Sequence, residues 1–264
     1  MVPANAYDSI ITKVFFDNFQ AGANRVNFVR QDLADAAEDL GLVVRNLGDI
    51  VYSFRYRADL PDSIQSAAPA TKSWLIMPAG PAKYSFWAAS FTTIEPNMQL
   101  VETKIPDATP GLISKHAMND EQALLARVRY NRLLDIFTGV TCYSLQNHLR
   151  TQIRGIGQIE TDEIYVGVDR YGAQYVFPVQ AKGGTNKLSV VQIAQDAELC
   201  ASKFPSLIPR LIAVQFLERD LIVLFELHRQ GVEIRVRNQE HYRLVDPAEI
   251  DADDLLQYRS RVPG

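Results

Sequence analysis

Apolar residues recur at helical spacing in the first part of the chain. Ile10, Ile11, Val14 and Phe15 fall on one face of a helix whose pattern stops at Gly22. The same spacing returns in "RQDLADAAEDL", and a third segment starts at "NLGDIVYSFRYR". The pattern therefore predicts three short helical elements, separated by glycine or polar breaks, within residues 1–60.

These three elements resemble a helix-turn-helix or winged-helix module, which binds DNA through one helix in the major groove. The segment starting at "VVRNLGD" then brings Arg45 and Asn46 to base edges, because arginine suits guanine and asparagine suits adenine. A small helical subdomain without a role in nucleic-acid binding is the alternative. Residues 60–72 are rich in Pro, Ala and Ser and predict a linker, so we expect a second domain over residues 73–264.

The strongest helical signal lies in residues 119–137. Asn119 can cap this helix, Glu121 lies in its first turn, and Gly139 ends it. An apolar stripe marks the face that we expect to be buried: Leu124, Leu125, Val128, Leu133 and Ile136.

Beyond this helix the apolar positions alternate, which is typical of strands. Residues 141–153, 157–168 and 174–182 predict three successive strands, and "DRYGA" predicts a hairpin loop between the last two. Pro178 is unusual there, because proline rarely occupies a central strand. A helix in "KLSVVQIAQDAELCASKF", two strands around "ERD", the strand "GVEIRVRN" and a short acidic tail helix complete the prediction.

Composition limits the classes of protein to consider. With 264 residues and 47% apolar residues the chain can form a proper core, and Cys142 and Cys200 are expected to be buried thiols in a reducing compartment. No leader sequence or membrane-spanning run is recognisable, so we expect a cytoplasmic protein without a membrane partner. A net charge of -4 means that a polyanion must be bound by local basic patches.

Polar side chains interrupt two of the predicted strands. Gln180 and Lys182 share one face of the third strand, while Glu160 and Asp162 share one face of the second and Glu163 points the other way. Because the hairpin makes these strands neighbours, the acids can lie beside the amide and the ammonium. One or two carboxylates with oxygen ligands suit Mg²⁺, and a lysine beside the metal can act on water or on a phosphate. A solvent-exposed strand face is the alternative.

The order helix, strand, "ETD" strand, hairpin, "QAK" strand, helix and strand resembles the PD-(D/E)xK nuclease superfamily over residues 115–228. The resemblance makes Asp162 the motif aspartate, Lys182 the motif lysine, and Gln180 the position that usually holds an acid. It implies an α/β (α+β) restriction-endonuclease-like core with a mixed central sheet flanked by helices, and Mg²⁺ as cofactor.

The resemblance also suggests roles for neighbouring residues. Glu160 or Glu163 supplies the acid that Gln180 lacks, so the metal ligands are expected to be Asp162, Gln180 and Glu160. A glutamate in place of Gln180 is then expected to preserve activity. Gln192 and Gln195 lie in the following helix, where the superfamily often contributes a polar residue near the site.

His148 and Arg150 are candidates for contacts with DNA, because they share a face of the strand that adjoins the Asp162 strand. A structural histidine is an equally good interpretation. The resulting hypothesis is a Mg²⁺-dependent endonuclease of the type II restriction class that acts on double-stranded DNA as a homodimer. A repair or structure-selective nuclease and a non-catalytic DNA-binding regulator with a decayed nuclease fold are the alternatives.

Overall fold

The computed structural model describes residues 4–90, 93–116, 121–154, 156–183, 188–231 and 233–261. Asn119, the predicted cap, lies outside these ranges. The α-helices are α1 (Ala4–Asn18), α2 (Arg30–Asp39), α3 (Leu47–Tyr56), α4 (Asp62–Gln65), α5 (Gly111–His116), α6 (Glu121–Tyr130), α7 (Leu133–Thr138), α8 (Val190–Lys203) and α9 (Ala252–Arg261), with a 3-10 turn at Pro247–Glu249.

The strands begin near the N-terminus with β1 (Arg25–Val29), β2 (Ser73–Gly80), β3 (Lys83–Ala89), β4 (Thr93–Ile94) and β5 (Glu102–Pro106). The middle of the chain forms β6 (Thr141–Ile153), β7 (Gly157–Val168), β8 (Gln174–Lys182) and β9 (Leu188–Ser189). The remaining strands are β10 (Ile208–Pro209), β11 (Leu211–Phe216), β12 (Leu221–Gln230) and β13 (Glu233–Val245).

The N-terminal unit combines helices with an antiparallel sheet in the order β1-β3-β2. Its core runs from Ile10 to Ala88 and includes residues of α1, α2, α3 and the sheet. The unit therefore continues past residue 60, because β2 and β3 pair with each other and β3 pairs with β1. The predicted linker is also ordered: Ile64 is buried, and the Gln65 side chain bonds both backbone polar groups of Trp74.

The central sheet has the strand order β5-β13-β12-β11-β8-β7-β6. β6, β7 and β8 form an antiparallel meander, whereas β8 and β11 are parallel. Apolar residues of α6 and α7 pack on the face that carries Phe177 and Val179, and α8 packs on the face that carries Val176. The predicted mixed sheet flanked by helices is thus confirmed.

Pro178 occupies a break in the ladder of β8. On one side β8 pairs with β10 through Tyr175 and Val176, and this pairing resumes with β11 only at Val179. The missing N–H of the proline therefore falls where the neighbouring strand is itself interrupted, so a central position is tolerated.

The predicted single helix over residues 119–137 is wrong, because the structure divides it into α6 and α7. The backbone N–H of Asn131 still bonds Arg127 O at 3.0 Å, but its side chain bonds a distant segment: its amide oxygen accepts from Ala108 N at 2.7 Å, and its Nδ2 donates to Thr109 Oγ1 at 2.9 Å. Arg132 follows with φ of +50°, a left-handed conformation that ends a helix. Ile136, which was expected on the buried face, is exposed.

β6 is an edge strand of the central sheet, and its pairing with β7 is irregular. The register shifts between Ser144 and Gln146, and His148 has a left-handed φ of +47°. Cys142 and Cys200 are free and buried, as predicted, and burial raises the pKa of the Cys142 thiol to about 11. Every helix in the described ranges is too short or too polar to cross a bilayer.

Candidate active site

A cleft of about 1550 Å³ separates the N-terminal unit from the central sheet. Residues of α3 and of the β2–β3 hairpin form one wall, and residues of β6, β7 and α8 form the other. The acids and bases that the sequence singled out and that line this cleft are Asp162, Lys182, Glu160, His148 and Arg150.

Asp162 and Lys182 come together at the junction of β7 and β8. Asp162 Oδ2 accepts a hydrogen bond of 2.8 Å from the backbone N–H of Ala181. Burial raises the pKa of the Asp162 carboxyl, while the charge of Lys182 acts in the opposite direction. A partly desolvated carboxylate beside an ammonium group is suited to hold a cation or a polar substrate.

Glu121 is the residue of this site that sequence reasoning missed. It begins α6, and its Oε1 lies 3.6 Å from Lys182 Nζ. Its negative charge contributes to the raised pKa of Asp162, so the two carboxylates act on each other. In the sequence Glu121 was explained by its favourable position in the first turn of a helix. Only the packing of α6 against β8 reveals a second role.

Gln180 is buried behind the cleft and does not line it. Its Nε2 donates to Asp196 Oδ2 at 2.9 Å and to the backbone oxygen of Glu160 at 3.3 Å. Its Oε1 accepts from Gln192 Nε2 of α8 at 3.3 Å. The amide therefore supports the strand junction from behind, and the structure does not present it as a ligand at the cleft surface.

Asp196 is a fully buried acid on α8 that the sequence did not indicate. Its Oδ1 accepts a hydrogen bond of 2.5 Å from Thr161 Oγ1, and its Oδ2 receives the bond from Gln180. Burial raises the pKa of Asp196 from 3.8 to about 7, and its two hydrogen bonds lower it. α8 thus places an acid in direct contact with the side chain of Gln180.

Glu163, a candidate auxiliary acid, does not line the cleft. It faces α6, where Arg129 Nη2 donates to Glu163 Oε1 at 3.0 Å and Ser144 Oγ donates at 2.5 Å. Thr161, two residues earlier, instead contacts α8. The alternation of β7 is therefore broken at Asp162, where the aspartate side chain takes the N–H of Ala181.

Glu160 lines the cleft, but its carboxylate is engaged by the neighbouring strand. Arg150 Nη2 donates to Glu160 Oε1 at 2.9 Å, and His148 Nδ1 lies 3.9 Å from the same oxygen. His148 and Arg150 thus share the cleft with Asp162, as the strand pattern predicted. The acid in contact with Lys182 is Glu121 and not Glu160.

Arg45 and Asn46 lie at the start of α3 and are not among the described residues that line the cleft. The side chain of Asn46 caps the helix by accepting from Gly48 N at 3.1 Å. α3 lines the cleft with Gly48 of its first turn and with five residues further along: Val51, Tyr52, Phe54, Arg55 and Tyr56.

Within the described ranges, no group of three His, Cys, Asp or Glu side chains is placed to hold a metal ion. No family model, curated protein or solved structure matches the chain. The class of protein defined so far is a mixed α/β protein with a cleft in which the carboxylates of Asp162 and Glu121 lie beside Lys182.

Glu163→Gln is expected to lower the free energy of unfolding by about 2 kcal/mol and to leave the chemistry of the cleft unchanged. Glu163 is fully buried, and losing its charge weakens the pair with Arg129, although the partial exposure of Arg129 moderates the loss. Urea denaturation measures the effect. Glu160→Gln is the control, because its pair with Arg150 is exposed and should contribute less than about 1 kcal/mol. If Glu163→Gln has the stability of the wild type but does not cleave DNA, Glu163 has a catalytic role after all.

Proposed function

We propose that the protein is a Mg²⁺-dependent DNA endonuclease of the PD-(D/E)xK type, acting as a restriction enzyme. The observation that carries this proposal is the meeting of Asp162, Lys182 and Glu121 at one end of the cleft. The element order supports it: α6 and α7 precede the antiparallel strands β6, β7 and β8, and α8 leads to β11, which runs parallel to β8. This is the order on which the resemblance rests.

The N-terminal unit is proposed to be a winged-helix module. Its order of helix, strand, two helices, the short helix α4 and a two-stranded hairpin, with β1 beside β3, supports this assignment. The module then extends to Ala89, and the β2–β3 hairpin is its wing. The reading of base edges by Arg45 and Asn46 stays a prediction. Asn46 would have to release its cap to take part.

The donor set at the cleft fits a hard cation. Mg²⁺ is commonly bound by one or two carboxylates, with waters and substrate phosphate in the remaining positions. Asp162 and Glu121 are the residues that would hold it, because both lie beside Lys182 and the charge of Glu121 acts on the Asp162 carboxyl. The bound cation would stabilise negative charge on the scissile phosphate. Glu160 is not assigned this role, because Arg150 already neutralises it.

The remaining roles, which are to bind the phosphate, orient the water and fix the site, are assigned to four side chains. Lys182 is only partly exposed, so its ammonium faces the cleft with reduced hydration and can donate to a phosphate oxygen or orient the attacking water. The backbone N–H of Ala181 fixes Oδ2 of Asp162, so Oδ1 is the oxygen proposed to bind the cation or the substrate. Gln180 and Asp196 hold the β7–β8 junction from behind.

Double-stranded DNA is the proposed partner, and cutting both strands is proposed to require two copies of the chain. Since the net charge is -4, local basic residues must attract the phosphates. Arg150 and Arg154 of β6 and the adjoining turn lie along the cleft in a suitable position. Light scattering of the protein–DNA complex gives the number of chains per duplex.

A nicking assay on supercoiled plasmid, with and without Mg²⁺, tests the proposal, and Asp162→Asn serves as the inactive reference. Discrete fragments from the wild-type protein, absent with Asp162→Asn, are the expected result. Smeared products would indicate a nonspecific nuclease, and cleavage confined to branched or flapped DNA would indicate a structure-selective one. Retained binding without cleavage would favour the non-catalytic regulator.

A further inference from the structure

Two side chains that line the cleft have buried donors without a partner. Nε and Nη2 of Arg55, in the last turn of α3, make no hydrogen bond, and neither does Nε2 of Gln195 in α8. Gln195 is only 3% exposed. Because an unpaired buried donor has lost its hydration without compensation, each of these groups is costly in the free protein.

The donors belong to one place in the cleft, where the two units meet. The guanidinium carbon of Arg55 lies 4.8 Å from the ring centroid of Tyr56. The hydroxyl of Tyr56 in turn donates to Gln195 Oε1 at 2.9 Å. Tyr56 thus joins α3 to α8, with the guanidinium of Arg55 over its ring and the amide of Gln195 at its hydroxyl.

The charge of Arg55 is in contact with the ring of Tyr56 but has no anionic partner. No carboxylate forms an ion pair with it among the described residues, whereas several other arginines have such a partner: Arg127, Arg129, Arg150, Arg210 and Arg229. Burial lowers the pKa of Arg55, because the charged form has lost solvent. A guanidinium stays charged at neutral pH, so the position favours an anion.

The available donors specify the geometry of that anion. Nε and Nη2 form one edge of the guanidinium, which can donate two parallel hydrogen bonds to two oxygens of the same group. Gln195 adds a neutral donor from the other helix. A phosphate group, with several acceptor oxygens and a negative charge, matches this set, and both residues share the cleft with Asp162 and Lys182.

We propose that Arg55 and Gln195 form a binding site for a backbone phosphate of the nucleic acid, separate from the scissile phosphate. This inference rests on the proposed function, since it requires that the bound DNA strand crosses the contact between α3 and α8. The same part of α8 supports the proposed active site, because Gln192 and Asp196, which neighbour Gln195 in this helix, both contact Gln180. A DNA strand bound here would contact α8, the helix that also supports the β7–β8 junction.

Fluorescence anisotropy of labelled duplexes without divalent metal, over a range of salt concentrations, tests this proposal. Arg55→Met is expected to weaken binding roughly tenfold or more, because a charge-assisted bond is lost. The slope of log affinity against log salt should fall by about one. The loss should be equal for duplexes of different sequence, because a phosphate contact carries no sequence information. Arg259→Met, an exposed arginine of α9 away from the cleft, is the matched control.

Two further variants separate charge from shape. Arg55→Lys keeps the charge without the paired donors and should retain the salt slope with weaker binding. Gln195→Glu can still accept the Tyr56 hydroxyl, but it replaces the free donor with a negative charge, so binding should fall. The melting temperature of Arg55→Met should equal or exceed that of the wild type, since an uncompensated cation is removed from a buried position.

Several results would overturn the proposal. These are wild-type affinity in Arg55→Met, a loss confined to particular sequences, and a lower melting temperature that accounts for the loss of binding. Displacement of the duplex by a mononucleotide at similar affinity, dependent on Arg55, would instead assign the site to a free phosphate monoester. Plasmid cleavage is measured separately, so a protein that binds DNA through Arg55 without cutting it refutes the nuclease and not the phosphate site.

Discussion

Lys182→Ala is expected to lower the single-turnover rate of DNA cleavage by about a hundredfold or more, with specific DNA binding largely intact. The ammonium lies in the cleft beside Glu121 and Asp162, and its side chain is 18% exposed. A donor with little hydration, already in place, stabilises developing charge more than water can, and removal of such a donor typically costs about 10²–10³ in rate. Quenched-flow or manual single-turnover assays at saturating protein measure the rate.

The Mg²⁺ dependence separates this role from metal binding. The midpoint of the metal titration should stay near the wild-type value in Lys182→Ala, because the lysine itself does not ligate a cation. Lys203→Ala, at the exposed end of α8 and outside the cleft, should cleave normally. Wild-type rates in Lys182→Ala would show that the "QAK" strand end is an ordinary polar surface and that the site lies elsewhere.

Gln180→Glu is expected to damage the protein, in contrast to the expectation from the resemblance that a glutamate there preserves activity, because Gln180 is buried against Asp196. The new carboxylate would replace the Nε2 that donates to Asp196 Oδ2 at 2.9 Å. Two buried acids would then face each other, and the lost bond and the repulsion should destabilise the fold by about 2 kcal/mol at pH 8. Cleavage should fall about tenfold or more, since the β7–β8 junction shifts.

The pH dependence of this variant has a definite sign. Burial already raises the pKa of Asp196 above its ordinary value of 3.8, to about 7. An acid whose pKa is raised by folding stabilises the fold fully only below its unfolded pKa, and this contribution is lost as pH rises through the folded value. A second acid beside Asp196 raises the pKa of the pair further. The penalty of Gln180→Glu should therefore be small near pH 5 and grow through pH 7.

A compensating change makes the experiment specific. Gln180→Glu combined with Asp196→Asn restores an amide–carboxylate pair with the roles exchanged, so stability at pH 8 should recover much of the loss. Thermal unfolding and plasmid cleavage of the two single variants and the double variant form the cycle. Equal stability of Gln180→Glu and the wild type from pH 5 to 8 would show that Gln180 and Asp196 are not coupled.

Alternation along the chain was sufficient to predict the central meander. β6, β7 and β8 have the predicted bounds, because their apolar positions repeat with a period of two and are separated by glycine-containing turns. The helix α8 was predicted for similar reasons. The break at Asn131 was not, because it depends on bonds to Ala108 and Thr109, which are distant in sequence. Local periodicity contains no information on such contacts.

The site was predictable only where its residues follow the regular strand. Asp162 and Lys182 were located by alternation and adjacency, and they do meet. Glu163 was considered only because the resemblance called for a further acid, although alternation already placed it on the face opposite Asp162; in the structure it is bonded to Arg129. Glu121 and Asp196 come from helices on opposite sides of the sheet, so their positions depend on packing between elements.

The irregular edge strand β6 has a consequence for self-association. A regular edge of 13 residues would offer another chain an uninterrupted row of free backbone donors and acceptors. Here the register shift after Ser144 and the left-handed His148 divide that row into short pieces. An incoming strand could match only one piece at a time, so these two irregularities act against cross-β aggregation from this edge without a covering helix.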